Sequence, residues 1–254
     1  MTAVGHATGQ GPSGRTAPVP ALLAISHGTS SAPGAAAVAA LVDAVADRLD
    51  GAAPVHGGFV DVQQPDVPTC LAALRGGGSV VVPLLLSAGY HVHVDLREDV
   101  DAALGAGDDV ALAGALGPDD RVVAVLARRL AEAGLREDDA VVLAAAGSSD
   151  ARAVADCELT ARLLAERLGR EVRLGFLSAA RPRLCDAVAA VRADRLGARV
   201  VVASYLLAPG YFADLAATAG GDVTTAPLLA AGDAPPAELV DVVLDRWAAR
   251  ALLE

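Results

Sequence analysis

The sequence predicts an α/β protein of two tandem doubly wound lobes, each a four-stranded parallel sheet flanked by helices. Three observations carry this. Short runs of Val, Leu, Ile and Ala alternate from Ala21 onward with longer segments whose apolar residues recur at three- and four-residue spacing, the βα pattern of a parallel sheet. Runs such as VVVPLLL (80–86) and VVLAAA (141–146) have no polar face, so helices must cover both sides of the sheet. Finally, the second half repeats the first: LLAISHGTSS (22–31) parallels VLAAAGSSD (142–150), GFVDVQQP (58–65) parallels GFLSAARP (175–182), and VVVPLLLSAGYHVHVDL (80–96) parallels VVVASYLLAPGYFADL (200–215), at offsets between 117 and 121 residues.

The elements follow in chain order. ALLAIS gives a strand over 21–26, and the periodic segment after HGTSS gives a helix over 34–50. A strand over 55–61 and a helix over 66–75 are separated by the turn-forming QQP, and Gly76–Gly78 end that helix before a strand over 79–87. A helix over 94–104, a strand over 109–116 and a helix over 119–134 complete the first unit. The second unit repeats this order, with strands over 139–146, 171–178, 198–207 and 223–229, and helices over 150–168, 183–196, 212–219 and 236–252. Residues 1–19, rich in Gly, Pro, Ser and Thr with no apolar stretch, are expected to be a disordered tail containing an incidental His6. The lobes are then expected at 20–136 and 137–254, with the boundary between Leu135 and Asp139. Superposition of the two units is the test, and different strand orders would refute the repeat.

Composition narrows the function. The chain has 254 residues, 54% of them hydrophobic and 3% aromatic, enough to bury a large core. Thirty-one acidic residues face 20 basic ones, all Arg, for a net charge of −11 with no basic run, which argues against a nucleic-acid partner. Cys70, Cys157 and Cys185 lie far apart with no CxxC spacing, favouring a reducing cytoplasm over disulfides or a thiolate metal site. No apolar run reaches the roughly 18 to 20 residues of a membrane helix, so no membrane partner is expected.

Ligands of an open α/β sheet bind beyond the carboxyl ends of its strands, where strand order reverses. His27 ends the first strand, His91 follows the third, and Asp61 closes the second. In a flavodoxin-like strand order these ends are neighbours, and the three side chains converge as metal ligands, with His27 and His91 also catalytic. The repeat acts as a control: His27 aligns with Ala146, Asp61 with Ser178 and His91 with Phe212, whereas Gly28/Gly147, Gly58/Gly175, Pro65/Pro182 and Tyr90/Tyr211 are kept. One half retains the polar set, and Phe212 reads as a packing residue. The plainer readings are a strand-end histidine bound to a backbone carbonyl and a carboxylate capping its own turn, and His93 reads as a surface residue or a helper ligand.

Gly28, Thr29 and Ser30 of the first half, and Ser148 and Ser149 of the second, each stand between a strand and a helix and suit an anionic substrate group, or simply cap the helix. Arg181, with Arg97 and Arg183, flanks the expected rim and is a substrate-binding candidate or a solvated helix residue. Neither loop has a nucleotide-binding spacing, so no nucleotide cofactor is expected.

Strand-HGT-S together with G-x-H-x-x-x-D after a PLLL strand resembles the sirohydrochlorin chelatases, the class II chelatases related to CbiX and SirB. The matching stretches are SHGTSS (26–31), GFVD (58–61) with Pro65, PLLLSAGYHVHVD (83–95) and the degenerate LLAPGYFADL (206–215). The resemblance spans Ala21 to the C-terminus and implies two chelatase-like lobes, the N-terminal one carrying the site. It implies ATP-independent insertion of a divalent metal, cobalt, iron or nickel, into a sirohydrochlorin-type tetrapyrrole, in cobalamin biosynthesis if cobalt and siroheme biosynthesis if iron. His27 and His91 match the family's two active-site histidines, and Asp61 stands where members often carry Glu or another acid. One chain would form the whole cleft, so a monomer is expected and a dimer is compatible.

Metallation removes two pyrrole protons and delivers a partly desolvated cation, work that neutral imidazoles can share. Protonation removes the lone pair, so activity is expected to fall as pH drops through the imidazole range. A metal or tetrapyrrole carrier would use the same residues without turnover. A histidine phosphatase would need Arg before its first-strand His and a second His late in the chain, whereas Ser26 precedes His27 and no His follows His93.

Overall fold

The computed structural model describes residues 19–87 and 90–251, with the side chains of residues 90–94 left undescribed; the expected tail therefore falls outside the described residues except for its last position. The first half runs β1 (Ala21–Ser26), α1 (Ala32–Leu49), β2 (Val55–Phe59), α2 (Val67–Ala73), β3 (Ser79–Pro83), α3 (Tyr90–Gly105), β4 (Val110–Leu112) and α4 (Asp120–Glu132). The second runs β5 (Ala140–Ala145), α5 (Ala151–Leu168), β6 (Val172–Phe176), α6 (Leu184–Asp194), β7 (Val200–Tyr205), α7 (Tyr211–Ala217), β8 (Val223–Thr224) and α8 (Ala237–Ala251). The strands form two four-stranded parallel sheets, ordered β2-β1-β3-β4 and β6-β5-β7-β8. The same order in both halves is what the repeat predicts.

Alternation along each strand divides the core. Leu22 and Ala24 of β1, Val80 and Val82 of β3, Val141, Leu143 and Ala145 of β5, and Val201, Ala203 and Tyr205 of β7 meet in one core shared by both sheets. The intervening residues face outward: Leu23, Ile25 and Val81 under α2 and α3, and Val142, Ala144, Val200 and Val202 under α6 and α7. Successive side chains of a strand point to opposite faces, so continuous apolar runs serve two cores at once.

The lobes do not close on themselves at the expected boundary of 136 and 137. Helix α4 leaves the first sheet and packs on β7 and α5 of the second, whereas α8, the last helix, returns to cover β3 and α1 of the first. The two crossing helices pack together, Arg121 bonding Asp245 at 2.6 Å and Arg128 bonding Glu238 at 2.7 Å, and α8 adds Arg48–Asp241 at 2.8 Å. Val122, Val125, Leu126 and Leu130 of α4, and Leu239, Val242 and Val243 of α8, are all fully buried in the shared core.

Other departures are local. β3 ends at Pro83 rather than at 87: the Leu84 amide still donates to the Ile25 carbonyl at 2.7 Å, and Leu84–Ser87 then turn out of the sheet. α3 begins at Tyr90 rather than at 94, which puts His91 and His93 in its first turn. β8 has two residues instead of the seven expected over 223–229, although Leu228 and Leu229 still donate to the carbonyls of Leu206 and Leu207. Among the described residues no helix is long and apolar enough to cross a membrane.

Asp139, 3% exposed, fixes the entry to β5. Its carboxylate accepts from Arg199 Nε at 3.1 Å, Arg199 Nη2 at 2.8 Å and the Arg136 amide at 2.7 Å, and the Arg199 guanidinium holds its pKa below the usual carboxylate range. The stabilisation is therefore complete above the unfolded carboxylate value of about 3.9 and is lost as pH falls through the lower folded value. Asp139→Asn is expected to lower the urea midpoint at neutral pH and to flatten the acid limb of stability. Wild-type and variant midpoints running parallel from pH 7 to pH 2 would refute this.

Candidate functional site

The carboxyl ends of β1, β2, β3, β5 and β7 open onto one interlobe cleft of about 490 Å³, within the range of small-molecule sites. Register sets its first wall: Ser26 lies opposite Phe59 and Ile25 opposite Pro83, so the ends of β2 and β3 flank the end of β1, where His27 stands. The His27 side chain is exposed on the cleft and bonds no described residue, so it does not serve a strand-end carbonyl. Its backbone carbonyl does the structural work, accepting the Asp61 amide at 3.0 Å.

Gly28 makes that approach feasible. Its φ is +94°, and a Cβ would collide with the Asp61 carbonyl oxygen; Gly147, at φ +93°, meets Ser178 in the same way. Thr29 donates its amide to Gln63 Oε1 at 2.9 Å and accepts the Ser31 amide at 3.1 Å, and Ser31 caps α1 through the Gly34 amide. The loop carrying His27 is thus cross-linked to the β2–α2 loop before any ligand arrives.

His27, Gly28, Thr29 and Ser30 line the cleft. Asp61 does not. Its carboxylate Oδ1 accepts the Val62 amide at 2.7 Å, the turn-capping reading of a strand-end acid, and Val62 and Gln63 reach the wall instead. Ser148 accepts the Asp150 amide at 3.1 Å, and neither it nor Ser149 lines the cleft, where Gly147 represents their loop. Arg181 lies outside the cleft, its side chain 80% exposed and 3.6 Å from Asp186, and Arg97 and Arg183 are also absent from the wall. The His91 side chain lies outside the described residues, and the backbone places it at the second position of α3. Among the described residues no Arg, Asp or Glu lines the cleft, and no group of three His, Cys, Asp or Glu is placed to hold a cation.

Sequence reasoning missed the second wall. Leu206, Leu207, Pro209, Tyr211 and Phe212 follow β7 and face the His27 loop, and Phe212, read from its alignment as a packing residue, is 37% exposed. Cys157 also lines the cleft, but burial pushes its thiol up to about 11, so it stays protonated and is a poor metal ligand near neutrality. Tyr205 ties the walls together: its hydroxyl donates to the Leu86 carbonyl at 2.6 Å and accepts from Thr160 at 3.3 Å, and burial pushes the phenol well above its ordinary range. Tyr205→Phe leaves the Leu86 carbonyl without this donor and is expected to cost about 1–3 kcal/mol in urea unfolding. A loss below a few tenths of a kcal/mol would show that water replaces the hydroxyl.

Two equivalent parallel sheets whose strand ends share an apolar cleft, with the His27 imidazole on its wall, define a two-lobe α/β protein. The CbiX family model matches residues 21–133 and 140–217, and the chain belongs to the CbiX family. Among solved structures it is similar to SirB from Bacillus subtilis with Fe3+, at 22% identity and a TM-score of 0.73, covering 92% of this chain and 96% of that one. The sirohydrochlorin chelatase SirB from Bacillus subtilis subspecies spizizenii in complex with cobalt follows at 21% identity and a TM-score of 0.70, covering 91% and 95%. CbiX, the terminal enzyme of siroheme biosynthesis in denitrifying bacteria, gives 19% identity and a TM-score of 0.60, covering 89% and 98%. No curated protein sequence matches the chain.

Proposed function

We propose that this chain inserts a divalent metal cation into sirohydrochlorin, with no nucleotide, in the cleft between its lobes. The observation that carries the reading is the His27 imidazole, exposed on an apolar cleft and bonded to no described residue, in a chain of the CbiX family. Insertion breaks two pyrrole N–H bonds and forms metal–nitrogen bonds in their place, so a dication enters as two protons leave. A neutral imidazole has one free lone pair, able to take a proton or hold the cation but not both at once. His27 fills one of these roles and His91, at the start of the helix that follows β3, the strand paired with β1, fills the other; the proton acceptor takes the two pyrrole protons one after the other, passing the first to water before it accepts the second. No role is proposed for Asp61, which does not line the cleft and whose Oδ1 accepts the Val62 amide. The hydroxyls of Thr29 and Ser30 are the wall's donors for the carboxylates at the macrocycle's edge.

Cobalt, iron and nickel all suit imidazole, and intrinsic affinity order does not select among them. The test is the initial rate of insertion with each metal at limiting free concentration, measured beside equilibrium metal binding. Turnover is expected with at least one of them. Stoichiometric binding of metal and macrocycle without turnover would make the protein a carrier.

A further inference from the structure

Seven of the 254 residues are aromatic, and four of them, Phe59, Tyr205, Tyr211 and Phe212, line this one cleft. Two of the remainder have structural duties: Phe176 is buried in the core, and the Trp247 indole donates to the Pro20 carbonyl. Tyr205 is the interlobe tie described above. Tyr211 and Phe212 open α7 instead. They are 71% and 37% exposed, with ring centroids 5.7 Å apart in an edge-to-face arrangement. A fold that spends so few aromatic residues leaves two adjacent ones uncovered on the wall opposite His27, at the positions that the repeat pairs with Tyr90 and His91.

Their placement is built. The Pro209 carbonyl sits directly against Gly34 of α1, where a Cβ would collide with it, and Gly210 lies beside Thr29, so the segment bearing the pair is docked on the His27 loop. Val62 extends the apolar surface from the first lobe; it is 60% exposed on the same cleft with φ at +65°, a conformation that β-branched residues rarely adopt. With no Arg, Asp or Glu among the described lining residues, these walls suit a ligand that is flat and apolar across its faces and polar only at its rim.

We propose that Tyr211 and Phe212 are the stacking surface for the conjugated face of the tetrapyrrole: the second lobe supplies aromatic contact where the first supplies imidazole. This rests on the chelatase reading and assigns the pair to substrate affinity rather than to proton or metal transfer. The duplication then has a division of labour, one half retaining the reactive histidines and the other holding the ring.

The experiment titrates metal-free sirohydrochlorin into the wild type, Tyr211→Leu, Phe212→Leu, the double variant and His27→Ala, following the macrocycle's absorbance and fluorescence. Each single leucine variant is expected to weaken binding about tenfold, in line with an aromatic contact. KM should rise by the same factor with kcat within about twofold of wild type, the urea midpoint unchanged, and Phe212→Tyr should restore affinity. His27→Ala should bind macrocycle as the wild type does and lose kcat. Wild-type affinity in the double variant, or a loss confined to kcat, would overturn the stacking role while leaving the chelatase reading intact. Failure of the wild type to bind the macrocycle would overturn the chelatase reading and, with it, this one.

Discussion

His27→Ala is expected to slow metal insertion by about 10²- to 10⁴-fold, the range supplied by a positioned proton acceptor, without shifting the urea or thermal midpoint. The asymmetry follows from where each part of the residue goes. The backbone carbonyl, bonded to the Asp61 amide, survives the substitution, whereas the imidazole is exposed on the cleft and supports no described neighbour. Initial rates at saturating macrocycle and metal, beside unfolding curves, check both halves of the expectation. Wild-type turnover in His27→Ala would remove His27 from the chemistry, and wild-type turnover in the variant that also carries His91→Ala would remove both histidines.

Truncation after Pro236 should abolish cooperative folding. Leu239, Val240, Val242 and Val243 of α8 are at most 3% exposed, and at about 1.5–3 kcal/mol for each buried side chain their loss amounts to roughly 6–12 kcal/mol. That is as large as the whole stability of a typical domain, about 5–15 kcal/mol. Removing α8 also uncovers the inner faces of Val80 and Val82, because α4, the helix nearest in sequence, is already committed to the second sheet. The measurement is urea unfolding followed by circular dichroism. A truncated chain with a sharp transition near the wild-type midpoint would show that α8 is dispensable.

Much of this architecture is legible in the sequence, since strands buried on both faces advertise themselves as runs of Val, Leu and Ala, and the repeated blocks fix one topology for both halves. The exchange of α4 and α8 is not legible. An apolar stripe such as Val122, Val125, Leu126 and Leu130 records that a helix covers a sheet, without recording which sheet. The same limit applies in the site. His27 is readable because strand order brings strand ends together, but Asp61 reads identically whether it faces a cleft or its own turn. The positive φ of Val62, which helps decide what reaches the wall, leaves no mark on a sequence that places a β-branched residue there. Phe212 looked like packing because apolar residues usually pack. The available signal was the scarcity of aromatic residues, against which two adjacent ones at the matched position of a histidine stand out.

The crossing of the last helix also sets a timetable for synthesis. The first sheet is complete once Leu112 of β4 has been made, but the helix that covers β3 on its inner face begins at Ala237, about 125 residues later. At translation rates of about 5–20 residues per second, that face waits roughly 6–25 s for its cover after its strands have emerged. During this interval Val80 and Val82 of β3 form an apolar surface open to solvent and to other nascent chains, while α1, already made, packs on β2. The second sheet has no such delay, because α4 precedes it on the ribosome and is present when β5 and β7 arrive. The half that carries His27 is therefore the first to be translated and the last to be sealed.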